Sequence, residues 1–349
     1  MATKKEEKIF AKEMRAAKKA KRKEMKKLGI KPNLTPEQIR YNRNKAIVSA
    51  VWPIFRFLIL FGLCFIILYP LIFMISTAFR PNEQMNDPSI IWIPKSLTLQ
   101  NLKETWDTMK YSSTVLNTIK LNLIASIIQV GTCALTGYGF ARFKFKGKGL
   151  LFMIVVLMII VPPQIITIPM YLKYSFFNPL GVIGLFNGGE GISLINTGWT
   201  MYLPALFANG LKAGLFIFLF RQFFKGLPKE LEDAAYLDGC GPFKTFLIVM
   251  VPNAASSFLT VFLFSVVWYW NDYYVSSSFF NQNDTVALML KNLSSTLAAD
   301  LFNNQTVGPR QLIVWLESGC ILAIAPILVM YIFLQKYFTE GIERSGLTG

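Results

Sequence analysis

The residues best placed to do chemistry in this chain lie in one polar segment, Leu227 to Pro252, which separates two apolar stretches. The pattern predicts two short helices with a break at Gly239, because glycine tolerates the left-handed backbone that ends a helix. Ala234 and Ala235 keep one face of the first helix small, so the backbone of a partner can approach it closely. The segment therefore predicts a docking element; an ordinary loop that rests on membrane headgroups is the alternative.

Catalytic and nucleotide-binding motifs are missing from the sequence. The 349 residues include no His, which removes His-based acid–base catalysis and His metal ligands. The pattern G-x-x-x-x-G-K-[ST] does not occur, so ATP binding through a P-loop is not expected. The apolar segments carry no paired carboxylates and no nucleophile motif. We therefore expect a protein that is not an enzyme and that binds no cofactor or metal directly.

A second group of polar residues falls inside apolar segments. Lys212 interrupts the apolar stretch 197–224, and an ionisable side chain at membrane depth is a functional candidate. It either faces a translocation cavity or pairs with an acidic or carbonyl group of a partner subunit, and the sequence leaves both open. Aromatic and polar residues also cluster at 268–274, where they form either an interfacial belt or a solute contact. The candidates for a solute pathway are Lys212, Trp270, Asn271, Asp272 and Tyr273.

The elements that carry these residues are predicted to cross a membrane. Hydrophobic residues make up 53% of the chain and charged residues only 16%, against about a quarter in soluble domains. A membrane-spanning helix needs about 20 apolar residues, and charge-free runs of that length recur along the sequence. The expected fold is all-α and polytopic, with six spans at about 55–79, 113–140, 150–173, 197–224, 252–275 and 312–336.

The net charge of +16 is better explained by the orientation of the chain in the membrane than by binding to a polyanionic partner. Basic residues crowd segment 1–50 and the short segment 141–149, and they are sparse in 80–112, 173–198 and 276–311. The positive-inside rule then predicts that both termini are cytoplasmic. We expect no signal peptide and no nucleic-acid partner. The predicted organisation is a cytoplasmic basic arm and interfacial helix at 1–50, capped at Thr35, followed by a transmembrane domain at 51–349.

The basic arm at 4–27 has two interpretations. It is either drawn to anionic headgroups or serves as an RNA- or partner-binding tail, and the lack of interleaved aromatic residues favours the headgroups.

Residues 233–239, Asp-Ala-Ala-Tyr-Leu-Asp-Gly, followed by Pro252, resemble the EAA loop of ABC-importer permeases. The family usually has Glu where this chain has Asp233, and Glu232 stands beside it. The resemblance extends over about 55–349 and points to permeases of the carbohydrate type, in particular the small permease of the maltose importer family. The further matching segments are Tyr138–Arg142, Pro162, Pro169–Tyr171, Phe218–Phe224, Trp270–Tyr273 and Gln335–Phe338 with Gly341.

This resemblance implies a type I ABC-importer permease whose EAA-type coupling loop, residues 227–251, inserts into a cleft of an ATPase subunit. The coupling residues would be Glu232, Asp233, Ala234, Ala235, Asp238 and Gly239. The implied partners are a second, paralogous permease, two ATPase subunits that use the ATP, an extracellular solute-binding protein and the lipid bilayer.

By the same resemblance, a sugar or oligosaccharide would be imported across a bacterial cell membrane. The polar outer loop at 276–311 would probe the binding protein, and the cytoplasmic tail at 337–349 would lie near the ATPases. A permease for peptides or polyamines, or a stand-alone secondary transporter, remains an alternative.

Overall fold

The computed structural model describes residues 36–85, 87, 89–90, 92–281, 285–302 and 308–346. The predicted basic arm and the Thr35 helix cap lie outside these residues. The chain divides into two compact units, Met1–Pro70 and Leu71–Gly349.

Within the first unit, residues 36–70 form the greater part of helix α1, Pro36–Ala78. Apart from Arg56, residues 51–70 of this helix are mostly apolar, and they are exposed almost all round, as expected for a helix that is surrounded by lipid or by another subunit. Pro53 and Pro70 lie inside the helix and do not end it. The predicted interfacial segment and the predicted first span therefore share one continuous helix.

The described residues of the second unit form helices joined by turns and loops, with an isolated antiparallel bridge between Phe177 and Ile192. After the end of α1, its helices are α2 Gln100–Thr108, α3 Tyr111–Arg142, α4 Lys148–Ile160, α5 Pro163–Ser175, α6 Val182–Phe186, α7 Trp199–Leu206, α8 Ala213–Gly226, α9 Glu230–Leu237, α10 Pro242–Thr245, α11 Val251–Asn253, α12 Ala255–Trp270, α13 Tyr274–Phe279, α14 Val286–Phe302 and α15 Pro309–Gly346. Short 3₁₀ turns cover Asn82–Gln84 and Pro179–Gly181, and a π-helical turn covers Phe246–Met250.

Three segments are long and apolar enough to cross a membrane: Val51–Ala78, Tyr111–Arg142 and Arg310–Lys336. They correspond to the first, second and sixth predicted spans. Two bent helix pairs meet the same criteria together, with bends of 100° between α4 and α5 and of 83° between residues 242–253 and α12. The described residues thus provide up to five spans, and the sixth stays a prediction.

The bend between α4 and α5 follows from the sequence Val161-Pro162-Pro163. A residue that precedes proline is pushed out of the helical region, and both Val161 and Pro162 are extended, with ψ of 120° and 140°. Pro163 then starts α5 because proline fits the first helical position. The predicted span at 150–173 therefore consists of two helices that meet at a sharp bend.

The fourth predicted span, 197–224, is also not one helix. α7 ends at Leu206 and α8 begins at Ala213, so residues 207–212 form a break, here called the helix break. Ala208 and Lys212 have φ values of 51° and 60°, which a continuous helix does not allow.

The predicted outer loop at 276–311 is largely helical where the structure describes it. α14 buries Met289, Leu293 and Leu297 on one face, and Trp315 of α15 packs in the same part of the core. This helical spacing of apolar residues explains why an expected loop is a packed helix. The polar residues 282–284 and 303–307, to which the sequence also drew attention, lie outside the described residues. At the other end of α15, the helix continues from the sixth span to Gly346, into the predicted tail.

α3 lies at the centre of the second unit and packs against α7, α8 and α12. Its closest approach is to α8 at Gly137, where an added Cβ would lie 2.7 Å from Cβ of Phe220 and 3.0 Å from the backbone nitrogen of Arg221. The core between these helices is aromatic, with Phe216, Phe220 and Phe224 fully buried. Contact this close requires a residue without a side chain.

Replacing Gly137 with Ala should destabilise the protein, because backbone and core atoms of α8 have to move to admit the methyl group. Overpacking of this kind costs about 1–3 kcal/mol. The matched control is Gly131→Ala in the same helix, where an added Cβ meets nothing within 4 Å. Thermal unfolding in detergent should show a lower midpoint for Gly137→Ala only. Equal midpoints for the two variants would contradict the assigned packing of α3 on α8.

Candidate functional site

The coupling loop folds as the predicted helix–glycine–helix. α9 spans Glu230–Leu237, and the chain then turns at Gly239, which has φ of +78°. This left-handed backbone conformation is disfavoured for residues with a side chain, and glycine adopts it without steric cost. Pro242 occupies the first turn of α10, and the π-helical turn and α11 continue the chain to Asn253. The loop is therefore an ordered element whose helices have defined faces.

The inner face of α9 is bound to the end of α3 through Glu232. The Tyr138 hydroxyl donates a hydrogen bond of 2.7 Å to Oε1 of this carboxylate, and Nε of Arg142 lies 3.2 Å from Oε2. Arg142 also donates from Nη2 to the backbone carbonyl of Leu227, at 2.7 Å. The Arg142 and Glu232 side chains are only 7% and 9% exposed. We call Tyr138, Arg142 and Glu232 the anchor.

Aromatic rings surround the anchor. The Tyr138 ring has its centroid 5.4 Å from that of Phe143, 5.6 Å from that of Phe224 and 5.1 Å from that of Phe246. These rings come from four different parts of the chain: α3, the segment after it, α8 and the coupling loop itself. Because they keep water away from the ion pair, the attraction between Arg142 and Glu232 is weakly screened.

The six coupling residues that the resemblance implies do not form one surface. Glu232 and Ala235 are buried, so they connect the loop to its own chain. Asp233, Ala234, Asp238 and Gly239 are exposed. The sequence analysis missed Leu237, which is 88% exposed, although an apolar residue in a polar helix was a signal. We call Asp233, Ala234, Leu237, Asp238 and Gly239 the outer face of the coupling loop.

The backbone of the helix break is held by polar side chains from α3 and α12. Gln129 donates from Nε2 to the carbonyl of Leu211 at 2.5 Å, and Thr132 donates to the carbonyl of Ala205 at 2.7 Å. The Tyr269 hydroxyl donates to the Gln129 side-chain oxygen and accepts from the backbone N–H of Leu211. In a membrane protein, non-helical backbone has to be satisfied within the protein or line an aqueous cavity.

Lys212 stands at the end of this break with a left-handed backbone, and its side chain is exposed. Its ammonium lies 4.6 Å from the centroid of the Trp268 ring, a cation–π contact. Trp268 is itself 41% exposed. Asn271, three residues further along the chain, is exposed as well and donates to the carbonyl of Val267.

Two of the other predicted pathway residues form hydrogen bonds within this chain. Trp270 is buried, and its indole N–H donates 3.0 Å to the carbonyl of Ala323 in α15. The Asp272 carboxylate accepts hydrogen bonds from the backbone N–H groups of Val275 and Ser276, at 3.2 and 2.9 Å, and so caps α13. Tyr273 is exposed, and its ring lies 5.6 Å from the ammonium of Lys291. The structure therefore separates a supporting pair, Trp270 and Asp272, from residues with exposed side chains.

Replacing Glu232 with Gln should destabilise the protein, because the buried Arg142 charge then loses its counter-charge. Breaking a buried pair in this way costs about 3–5 kcal/mol. The matched control is Glu230→Gln, an exposed residue of the same helix, which should change stability by no more than about 0.5 kcal/mol. Thermal unfolding in detergent measures both. Equal unfolding midpoints for the two variants would contradict the conclusion that the anchor holds α9 to α3.

Comparisons with known proteins agree with this architecture. The family model described as "Binding-protein-dependent transport system inner membrane component" matches residues 134–344. An arabinooligosaccharides transport system permease protein, AraQ of Halalkalibacterium halodurans, is 27% identical over 85% of this chain and 98% of its own length. The trehalose transport system permease protein SugB of Mycobacterium tuberculosis is 26% identical over 81% of this chain and 93% of its own.

A solved structure shares the fold. It is the crystal structure of a bacterial ABC transporter involved in the import of the acidic polysaccharide alginate, with a TM-score of 0.62 and 18% sequence identity. The match covers 88% of this chain and 100% of that chain. The chain therefore belongs to the family of binding-protein-dependent transport system inner membrane components: it is a multi-pass membrane permease subunit of an ABC transporter and not itself an enzyme.

Proposed function

We propose that this permease subunit imports a sugar or oligosaccharide, and that the outer face of its coupling loop receives the movement of a separate ATPase. The observation that carries the proposal is the division of α9 into two faces. One face is held to α3 by the buried anchor, and the opposite face, which includes the small residue Ala234, is free for a partner.

The saccharide substrate is supported by the names of the relatives. They include permeases named for arabinooligosaccharides, for trehalose and for melibiose, raffinose and stachyose. Uptake of radiolabelled arabinotriose, trehalose and raffinose by bacterial cells, with and without an intact copy of this chain, tests the assignment. Loss of uptake of one of these sugars supports it. Unchanged uptake of all three sugars, with loss of the uptake of a peptide or polyamine, would overturn it.

The working assembly would contain a second permease, two ATPase subunits and an extracellular solute-binding protein. ATP is used by the ATPase subunits, in keeping with the lack of a P-loop sequence in this chain. The coupling loop and the basic segment 141–149 meet at the anchor, so both lie at the same end of the second unit. We assign this end to the cytoplasm of a bacterial cell, together with both termini, from the excess of basic residues.

The anchor determines how the movement would be transmitted. Because Glu232 and Arg142 form a buried ion pair, a pull on α9 acts directly on the end of α3. α3 in turn packs along α8 and α12, which carry the helix break and Trp268. A displacement of the loop therefore reaches the helix break through a continuous series of packed helices.

Replacing Ala234 with Arg should uncouple the transporter, because the large side chain obstructs the outer face while the anchor stays intact. We expect at least a ten-fold loss of sugar-stimulated ATP hydrolysis and weaker co-purification of the ATPase. The matched control is Ser112→Arg, an exposed position at the opposite end of α3. Full coupling in Ala234→Arg would contradict the assignment of this face.

The solute pathway would pass the helix break. Lys212 and Ala208 are held in a backbone conformation that costs about 1–3 kcal/mol at a non-glycine residue, and such strain concentrates at functional sites. Lys212 presents a hydrogen-bond donor next to the exposed Trp268 and Asn271, so sugar hydroxyl groups would find both a donor and an apolar ring. In this proposal Trp270 and Asp272 support the pathway, and Asn271 and Tyr273 line it.

Replacing Lys212 with Gln should reduce sugar uptake at least ten-fold, because the ammonium donor is lost while the ATPase contact remains. The control is Lys110→Gln, since Lys110 is also an exposed lysine with a positive φ, of 44°. Initial uptake rates and ATPase co-purification measure the two effects. If Lys212→Gln instead releases the second permease, Lys212 belongs to a subunit contact and the pathway assignment is wrong.

A further inference from the structure

Three cations from two helices converge at the end of the second unit that holds the coupling loop. Lys148 is the first residue of α4, and Arg221 and Lys225 lie in the last two turns of α8. α4 packs against α8, and the Arg221 guanidinium lies against the ring of Phe152, one turn after Lys148 on α4. Lys225 lies one turn after Arg221 on α8, and the charges of both residues act on Lys148. We call these three residues the basic cluster.

The basic cluster has no acidic partner among the described residues. The ion pairs of that part of the chain join Lys95 to Asp87 and Arg142 to Glu232, and neither includes a member of the cluster. The Arg221 guanidinium carbon lies 4.0 Å from the centroid of the Phe152 ring, and its Nε is buried without a hydrogen-bond partner. Three like charges held together without a counter-charge repel one another, so an anion bound between them would be stabilised.

The position of Lys148 at the start of a helix also favours a bound anion. It is at the N-terminus of α4, where the helix dipole favours an anion and disfavours a cation. Its ammonium donates 2.8 Å to the carbonyl of Phe143, which holds the side chain over the start of the helix. An anion placed there would interact with the ammonium and with the helix terminus together.

The surroundings of the basic cluster favour a lipid as the source of this anion. Leu150 and Leu151 follow Lys148 on α4 and are 62% and 47% exposed, and Phe145 of the preceding segment is exposed as well. α4 belongs to a bent helix pair that is apolar enough to cross a membrane. A ligand that joins a phosphate to acyl chains would cover both the charges and this apolar surface, whereas free phosphate would cover only the charges.

We propose that the basic cluster binds the phosphate headgroup of an anionic phospholipid, such as phosphatidylglycerol, at the membrane surface beside the coupling loop. Basic pockets between membrane helices are suited to such headgroups. The cluster adjoins the anchor in space, because Lys148 donates to the carbonyl of Phe143, whose ring packs against that of Tyr138. The bound lipid would thus stabilise the helix ends that hold the coupling loop. This inference does not depend on the identity of the transported solute.

The test uses the full chain together with its co-purifying subunits. The complex is reconstituted with equal amounts of phosphatidylglycerol and phosphatidylcholine and is then extracted into detergent. Native mass spectrometry counts the lipids that each chain retains. The site variant is Lys148→Gln with Lys225→Gln. Each basic residue near an anionic surface contributes about a five-fold factor in binding, so the double variant should retain phosphatidylglycerol about 25-fold less strongly.

The matched control is Lys229→Gln with Lys244→Gln, which removes the same charge from exposed positions of the coupling loop at the same end of the second unit. It should retain phosphatidylglycerol like the parent protein. A second site variant, Arg221→Gln, should also lose the lipid, so the test stands even if one variant folds poorly.

Three results would overturn the proposal. Equal loss in the site and control variants would mean that the lipid responds only to total charge. Displacement of phosphatidylglycerol by millimolar inorganic phosphate would identify free phosphate as the ligand. Unchanged lipid retention with loss of the ATPase from Lys148→Gln with Lys225→Gln would assign the basic cluster to a protein contact.

Discussion

The ion pair between Arg142 and Glu232 is the contact on which the rest of this structure depends. It lies under a layer of aromatic rings and joins the end of the central helix α3 to the first helix of the coupling loop. A buried ion pair is costly to form, and it is still more costly to break because one charge is then left without a partner. This asymmetry suits the proposed transmission of movement from the loop to α3. The loop can move only if α3 moves with it.

The second constraint is the need to satisfy backbone groups where membrane helices are broken. At Leu211, the carbonyl and N–H groups that a continuous helix would pair internally are paired instead with Gln129 and Tyr269. Thr132 likewise pairs with the carbonyl of Ala205, in the last turn of α7 before the break. These side chains come from α3 and α12, so the break is defined by its neighbours rather than by its own sequence. The same arrangement exposes Lys212 next to Trp268. A structural requirement and the proposed solute contact thus coincide at one place.

Charge has two roles at the coupling end. At the anchor, opposite charges are buried together and hold the loop. In the basic cluster, like charges lie side by side without an acidic partner among the described residues, and the apolar surface of α4 continues next to them. The first arrangement is complete within this chain, and the second is the proposed site for a ligand from outside it. The membrane itself would then contribute to the position of the helix ends that carry the coupling loop.

The sequence by itself determined the helical class, most of the apolar spans and the position of the coupling loop, because long apolar runs and a glycine between two short helices are local patterns. It did not determine which side of α9 faces inward. Glu232 and Asp233 are adjacent acids, and only the packing of α9 on α3 makes the first an anchor residue and the second an exposed one. The break at Lys212 and the helix α14 were likewise decided by tertiary contacts. Hydrogen bonds and buried surfaces that join distant parts of the chain have no local signature.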